Sequence, residues 1–249
     1  MKVRLFFCDF YEVVREIETR RLFVDSKYKV LVLYFFGKCW STLRSLHVLC
    51  NEQFLEDSRT VLRSLLEATV NLRYIATQPE ELTKRFSDFA TIEAIRFDKV
   101  LNRYCDSNPD EEIIRDLLGS KSQDERDAEM KERQHMRKVY GPLGSSWSGK
   151  ELEDMARSVG MDFHYILYRM FCRSAHPSSA GIQNYIYLTE EGHLAFCEPS
   201  EEEIQKIWWT ACIYFLFVLE QVDIAFNLGL ENKVVAIDKK LKDARPKKH

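Results

Sequence analysis

Between Ser200 and Leu228 the chain carries hydrophobic side chains on every face of a helix. Ile204, Ile207, Trp208, Ala211, Cys212, Phe215, Leu219, Val222 and Phe226 recur at helical spacing, and Trp209, Ile213, Leu216 and Phe217 fill the sides between them. A helix that is apolar all round needs neighbours on most of its circumference, so this one lies either at the centre of a multi-helix core or in an oligomer interface. Pro199 and Ser200, with Glu203 three residues after the serine, supply a capping-box start. Gly229 ends the helix, and the closing RPKKH, residues 245–249, reads as a frayed basic tail.

The rest of the chain supplies partners for that helix. Residues 3–20 form a first amphipathic helix. A second, capped by Asp25 or Ser26, runs to about Cys50. Val30–Phe36 alone has the β-rich continuity of a strand, but Cys39, Trp40, Leu43, Leu46 and Leu49 extend it at helical spacing, so the segment is helical. Gly37 costs that helix about 1 kcal/mol, and its presence predicts a close helix crossing. Further helices follow over 52–77 and from Pro79 onward. Residues 121–140 are almost entirely charged and long-chained, which predicts a solvated, projecting arm or a partner-facing helix, with His135 as ordinary surface.

GPLGSSWSGK, residues 141–150, is the strongest internal break and reads as a Gly/Ser linker loop inside the domain, pinned to the core by Trp147. Its lysine does not make it a phosphate loop, because the GxxxxGK[ST] order is absent. A short helix over 151–159 and a longer one capped by Asp162 come next, and YIYL and HLAF flank a Gly-containing turn that predicts a small hairpin within 185–197. The expected architecture is all-α: a single bundle of six to eight helices forming one domain over 1–249.

Composition narrows the function. With a formal charge of -3 over 249 residues, the chain lacks the positive excess that extended, nonspecific duplex binding requires. Its seven cysteines are scattered without a CxxC pair, the pattern of buried thiols in a reducing compartment. Asp9 and Glu12 interrupt the N-terminal apolar run too early for a signal sequence, and charges cut the longest apolar segments within about eighteen residues, so no membrane span is expected. The cytoplasm is the expected location.

The chemistry concentrates in Tyr165–His176, YILYRMFCRSAH. Arg169, Arg173 and His176 follow one another at intervals of four and three residues, so on a helix they share a stripe. Pro177 stops the helix and leaves the histidine at its last turn. Upstream, Arg63, Glu67 and Asn71 form a polar stripe on an otherwise apolar helix. The stripe is either an Arg63–Glu67 pair at the rim or a means of pointing Glu67 at Arg169 and Arg173, where it would orient a guanidinium for phosphate. Tyr168 and Ser178 complete the supporting set, the serine as a loop or phosphate contact. Neither HExxH nor a di-metal ExxH pair is present, and no metal or other cofactor is expected.

RTVLRSLLEATVNLRYIATQPEE, the WSG at Trp147 and YRMFCRSAHPS together resemble a bacterial all-helical family described only as a domain of unknown function, over roughly residues 30–220. The Arg169-to-His176 spacing near a helix end also resembles the motif of the HEPN superfamily, helical domains of which many are metal-independent ribonucleases of defence and toxin systems that act as dimers. Met170 stands where that superfamily usually has a polar residue. The resemblance implies Arg169 as a phosphate contact and His176 as the acid/base group in attack by a ribose 2′-hydroxyl, with single-stranded RNA or tRNA as substrate and a homodimer as the working form. The second proton-transfer group would then come from Tyr168, Glu67 or a partner subunit. The alternative is a catalytically inactive binding or regulatory module that acts through protein partners, one of them held by 121–140.

Overall fold

The computed structural model describes residues 3–107, 122–140, 146–175, 182, 185–190, 192–198 and 200–245. Among them the elements, in order, are α1 (Val3–Thr19), α2 (Lys27–Asn51), α3 (Leu55–Ile75), α4 (Pro79–Ser107), α5 (Gln123–Tyr140), α6 (Leu152–Ser158), α7 (Asp162–Ala175), β1 (Ile186–Leu188), β2 (Leu194–Phe196), α8 (Glu201–Phe226) and α9 (Glu231–Asp243). The fold is all-α with one small antiparallel hairpin, in which Tyr187 faces Ala195 across the ladder. Contacts divide the chain into two compact units, one of residues Met1–Pro79 with Leu152–His249 and the other of Glu80–Glu151.

The larger unit is built on α2, α3 and α8, each packed against the other two. α8 buries Ile204, Ile207, Trp208, Ala211, Cys212, Tyr214, Phe215, Leu216, Val218, Leu219 and Val222, so its all-round apolar surface is met inside the unit by α2, α3, α9 and α1. Each large side chain buried in this way contributes about 1.5–3 kcal/mol. Among the described residues α8 is also the one helix long and apolar enough by length and composition to cross a membrane, which corrects the expectation that charge interrupts every such run. A core helix meets the same criterion. Its N-cap is Ser200, whose hydroxyl accepts from the Glu203 amide at 3.4 Å. The reciprocal half of a capping box is replaced, because the Glu203 carboxylate accepts from Arg59 Nη2 at 2.6 Å.

The Val30–Phe36 segment is helical. α2 buries Leu31, Val32, Phe35, Phe36, Cys39, Leu43, Leu46 and Cys50 in a stripe that continues past the β-rich residues, and Ser26 caps it by accepting from the Lys29 amide at 3.3 Å. Gly37 marks no helix crossing. It lies on the exposed face, and a Cβ added there would meet nothing within 4 Å.

Nine helices stand among the described residues, not the six to eight expected. The helix that the sequence reading lacked is α9. Asn227 at φ 52° and Gly229 at φ 68° turn the chain after α8, and Glu231–Asp243 then folds back. Only Val234, Ile237 and Leu241 of α9 are buried, a stripe too thin to stand out among its lysines and acids. Tertiary contacts hold it: Trp209 Nε1 donates to the Leu241 carbonyl at 2.9 Å, Lys240 reaches Asp9 of α1 at 2.7 Å, and Lys233 pairs with Glu16 of α1. Arg245, assigned to the tail, lies 5.7 Å over the Trp209 ring, and the rest of the tail is outside the described residues.

In the smaller unit, Leu82 and Ile92 of α4 and Met136 of α5 are buried, while the rest of α5, His135 included, is exposed wherever its side chains are described. The Trp147 ring meets Phe86 edge-on at 5.1 Å, and its carbonyl accepts from Arg85 Nε at 2.9 Å.

Candidate functional site

α7 lies on α3 and offers it one face. Phe171 is buried and His164, Leu167, Tyr168 and Cys172 are half-buried, whereas Arg169, Met170 and Arg173 are exposed. The apolar stripe therefore fixes the helix so that Arg169 and Arg173, one turn apart, both face away from the core. His176 and Ser178 lie outside the described residues. Exposed Phe163, Ile166 and Met170 form a second, apolar stripe beside the arginines.

The polar stripe of α3 behaves differently from either expectation. Among the described residues Glu67 forms no ion pair with Arg63, Arg169 or Arg173; it is exposed and acts on Arg63 and Tyr168 only through its field. Arg63 instead donates from Nη2 to the Tyr168 hydroxyl at 3.0 Å, with its guanidinium carbon 5.0 Å over that ring. Asn71 donates back to the Glu67 carbonyl at 2.8 Å within α3. Tyr168, held on α7 by packing, offers the guanidinium both an aromatic face and a hydroxyl acceptor.

Tyr168 stacks on Tyr165 at 5.8 Å between ring centroids, and Tyr165 stands one turn before the exposed Arg169. Arg63 of α3 is thus tied to a stacked tyrosine pair on α7. Burial raises the Tyr168 phenol above its ordinary value, the Arg63 hydrogen bond pulls it down, and the Glu67 charge pushes it up again, so it stays protonated at neutral pH. The neighbouring Tyr165 side chain raises Arg169 above its ordinary value, so it stays a cation. The i, i+4 interval between Tyr165 and Arg169 is visible in the sequence; the Arg63–Tyr168 contact, across 105 residues, is not.

Beyond Arg173 a cavity of about 290 Å³ opens, with Leu167, Phe171 and Ile207 among its apolar walls and Arg59, Arg173 and Glu203 among its charged ones. Lys206 and Thr210 also line it; Lys206 pairs with Glu202, and the Thr210 hydroxyl donates to the Lys206 carbonyl at 2.7 Å. Arg59 is held between Glu56 and Glu203. The sequence assigns Glu203 only to a capping box and does not pair it with Arg59, because 144 residues separate the two.

On the other flank of α7, His164 Nδ1 and the buried Tyr214 hydroxyl share a hydrogen bond of 3.1 Å. Burial, with Arg73 nearby, lowers the imidazole below its ordinary value. Arg73 is a structural partner, its guanidinium 4.6 Å over the Phe217 ring. Cys39 and Cys50 are buried thiols, pushed up by burial to about 12 and about 11, which leaves them unreactive. Among the described residues no group of three or more His, Cys, Asp or Glu side chains stands close enough to hold a metal ion.

No curated protein and no solved structure matches the chain. Residues 29–193, which run from the start of α2 to the hairpin turn and take in both arginine-bearing helices, match DUF5677, a family of unknown function. The chain belongs to that family.

Proposed function

We propose that the exposed face of α7 is the phosphate-gripping side of a metal-independent, HEPN-like endoribonuclease acting on single-stranded RNA or tRNA. The observation that carries this reading is that Arg169 and Arg173 are both exposed, one turn apart, and, among the described residues, ion-paired to no carboxylate. Arg59, by contrast, is held between Glu56 and Glu203.

In the reaction, the ribose 2′-hydroxyl gives up its proton and attacks the adjacent phosphorus, the bond to the 5′-oxygen breaks, and that oxygen takes a proton, leaving a 2′,3′-cyclic phosphate and a 5′-hydroxyl. Negative charge grows on the nonbridging oxygens in between, and the two guanidinium groups lower the barrier there. His176, which follows α7 directly, is the proton-transfer group. Tyr168 is a protonated phenol and Glu67 an exposed carboxylate; either of them, or the histidine of a second copy, supplies the second proton transfer. A homodimer is part of this reading, and light scattering at micromolar concentration that finds only the monomer mass would remove it.

Purified protein incubated with mixed single-stranded RNA and tRNA in chelator, wild type beside His176→Ala and Arg169→Ala, tests the proposal. Cleavage should fall about 10²- to 10⁴-fold in His176→Ala. Equal cleavage by wild type and a folded His176→Ala would overturn it.

The exposed stripe of Phe163, Ile166 and Met170, at 66%, 57% and 55% accessible, favours a second reading, a catalytically inactive module that docks a protein partner on α7. Wild-type protein that binds no RNA and cleaves none would select this reading over the first.

A further inference from the structure

We infer that the cavity beside Arg173 is a guanine pocket, in which the Arg59–Glu203 pair reads the base next to the scissile phosphate. The inference rests on the ribonuclease reading and adds the substrate's base identity to it. At about 290 Å³ the cavity is at the lower end of ligand-site sizes, about 300–1,000 Å³, and suits one base and not a whole cofactor. Its apolar walls, Leu167, Phe171 and Ile207, accept the faces of a planar ring. Arg59 and Lys206 are each paired with acids, Glu56, Glu203 and Glu202, so Arg173 is the lining cation left to meet a phosphate. Arg173 belongs both to the cavity and to the α7 arginine lane, so a base seated here places its own phosphate at the lane.

The polar wall selects among bases. Glu203 presents a carboxylate 2.6 Å from Arg59 Nη2, on a side chain that is 44% exposed, so it keeps lone pairs for a ligand. Arg59 spends two of its five N–H donors on Glu56 and Glu203. An acceptor beside a donor complements guanine: its N1–H and N2–H₂ donate to the carboxylate, and its O6 accepts from the guanidinium. Adenine would set its bare N1 against the carboxylate, and a repulsive contact of this kind is how a site rejects the wrong base. Because Arg59 is anchored at both ends, the pair is preorganised.

The test is fluorescence anisotropy of the full-length protein with short labelled RNAs that are 2′-O-methylated throughout, so that no cleavage occurs, and that differ in one central base: guanine, hypoxanthine or adenine. Guanine should bind about tenfold tighter than adenine, with hypoxanthine, which lacks the N2 amine, in between. Glu203→Gln should erase the difference, and Ile207→Trp, which fills the cavity, should lower affinity for all three. Equal binding of the three bases that still depends on Arg169 and Arg173 overturns the pocket and leaves the ribonuclease reading standing. A guanine preference that survives Glu203→Gln overturns the assignment to that pair. Absence of RNA binding, or binding indifferent to Arg169→Ala and Arg173→Ala, overturns the ribonuclease reading and the pocket with it. The base series needs no variant, so it decides the question even if a substitution unfolds the protein.

Discussion

Arg63 on α3 and Tyr168 on α7 meet twice, through a hydrogen bond of 3.0 Å to the hydroxyl and through the guanidinium lying 5.0 Å over the same ring. The contact ties the candidate site's helix to the core helix beneath it. Arg63 Nε is buried with no partner among the described residues, so the Tyr168 hydroxyl is a bond the guanidinium can ill spare. Tyr168→Phe keeps the ring and removes the hydroxyl, and should lower unfolding free energy by about 1–3 kcal/mol in urea titration. A loss below about 0.3 kcal/mol would mean that the ring contact alone holds the helices.

Gly37 sits on the exposed side of α2 with open space where a Cβ would go. Gly37→Ala should therefore raise stability, by about 0.5–1 kcal/mol, because alanine loses less backbone entropy in a helix and nothing obstructs its methyl group. Destabilisation in the same titration would reveal a neighbour at this face, such as a second chain.

His164 sets a pH dependence. Its imidazole is lowered from the ordinary 6.5 by burial and by Arg73, so between the folded and unfolded values the unfolded chain binds more protons. Stability should thus rise with pH through this window; the contribution is complete above 6.5 and is lost as pH falls through the folded value. Unfolding measured from pH 5 to pH 8 should show this slope in wild type and a flatter one in His164→Gln. An unchanged slope would assign the effect to another group.

Arg169→Ala and Arg173→Ala, at exposed positions without ion pairs among the described residues, should each leave stability within about 0.5 kcal/mol of wild type. If RNA cleavage is nonetheless lost, the arginines act on substrate. Turnover should be the same in chelator and in magnesium, because the proposed steps use only side chains, and a strict magnesium requirement would redirect the mechanism.

Much of the fold could be read from periodicity, for a definite reason. The apolar stripes of α2 and α8 run for six or seven turns, and over that length a 3.6-residue period outweighs a local β-rich stretch such as Val30–Phe36. The exposure of Arg169 and Arg173 was likewise set locally, because Phe171 and its half-buried neighbours determine which side of α7 turns inward. α9 was illegible since three buried side chains, Val234, Ile237 and Leu241, carry too weak a signal until Trp209, Asp9 and Glu16 are brought beside them.

Pairing across the chain was settled only in three dimensions. Sequence spacing offered Glu67 as the partner of Arg63 or of the lane, and tertiary packing supplied Tyr168 instead, half-buried at the right height on the neighbouring helix. Arg59 and Glu203, far apart along the chain, meet because α3 and α8 cross there. Local periodicity determines which face of a helix is buried, since that depends on side chains a turn apart; which charges face one another depends on how helices cross, and that is decided by the packing of the whole core.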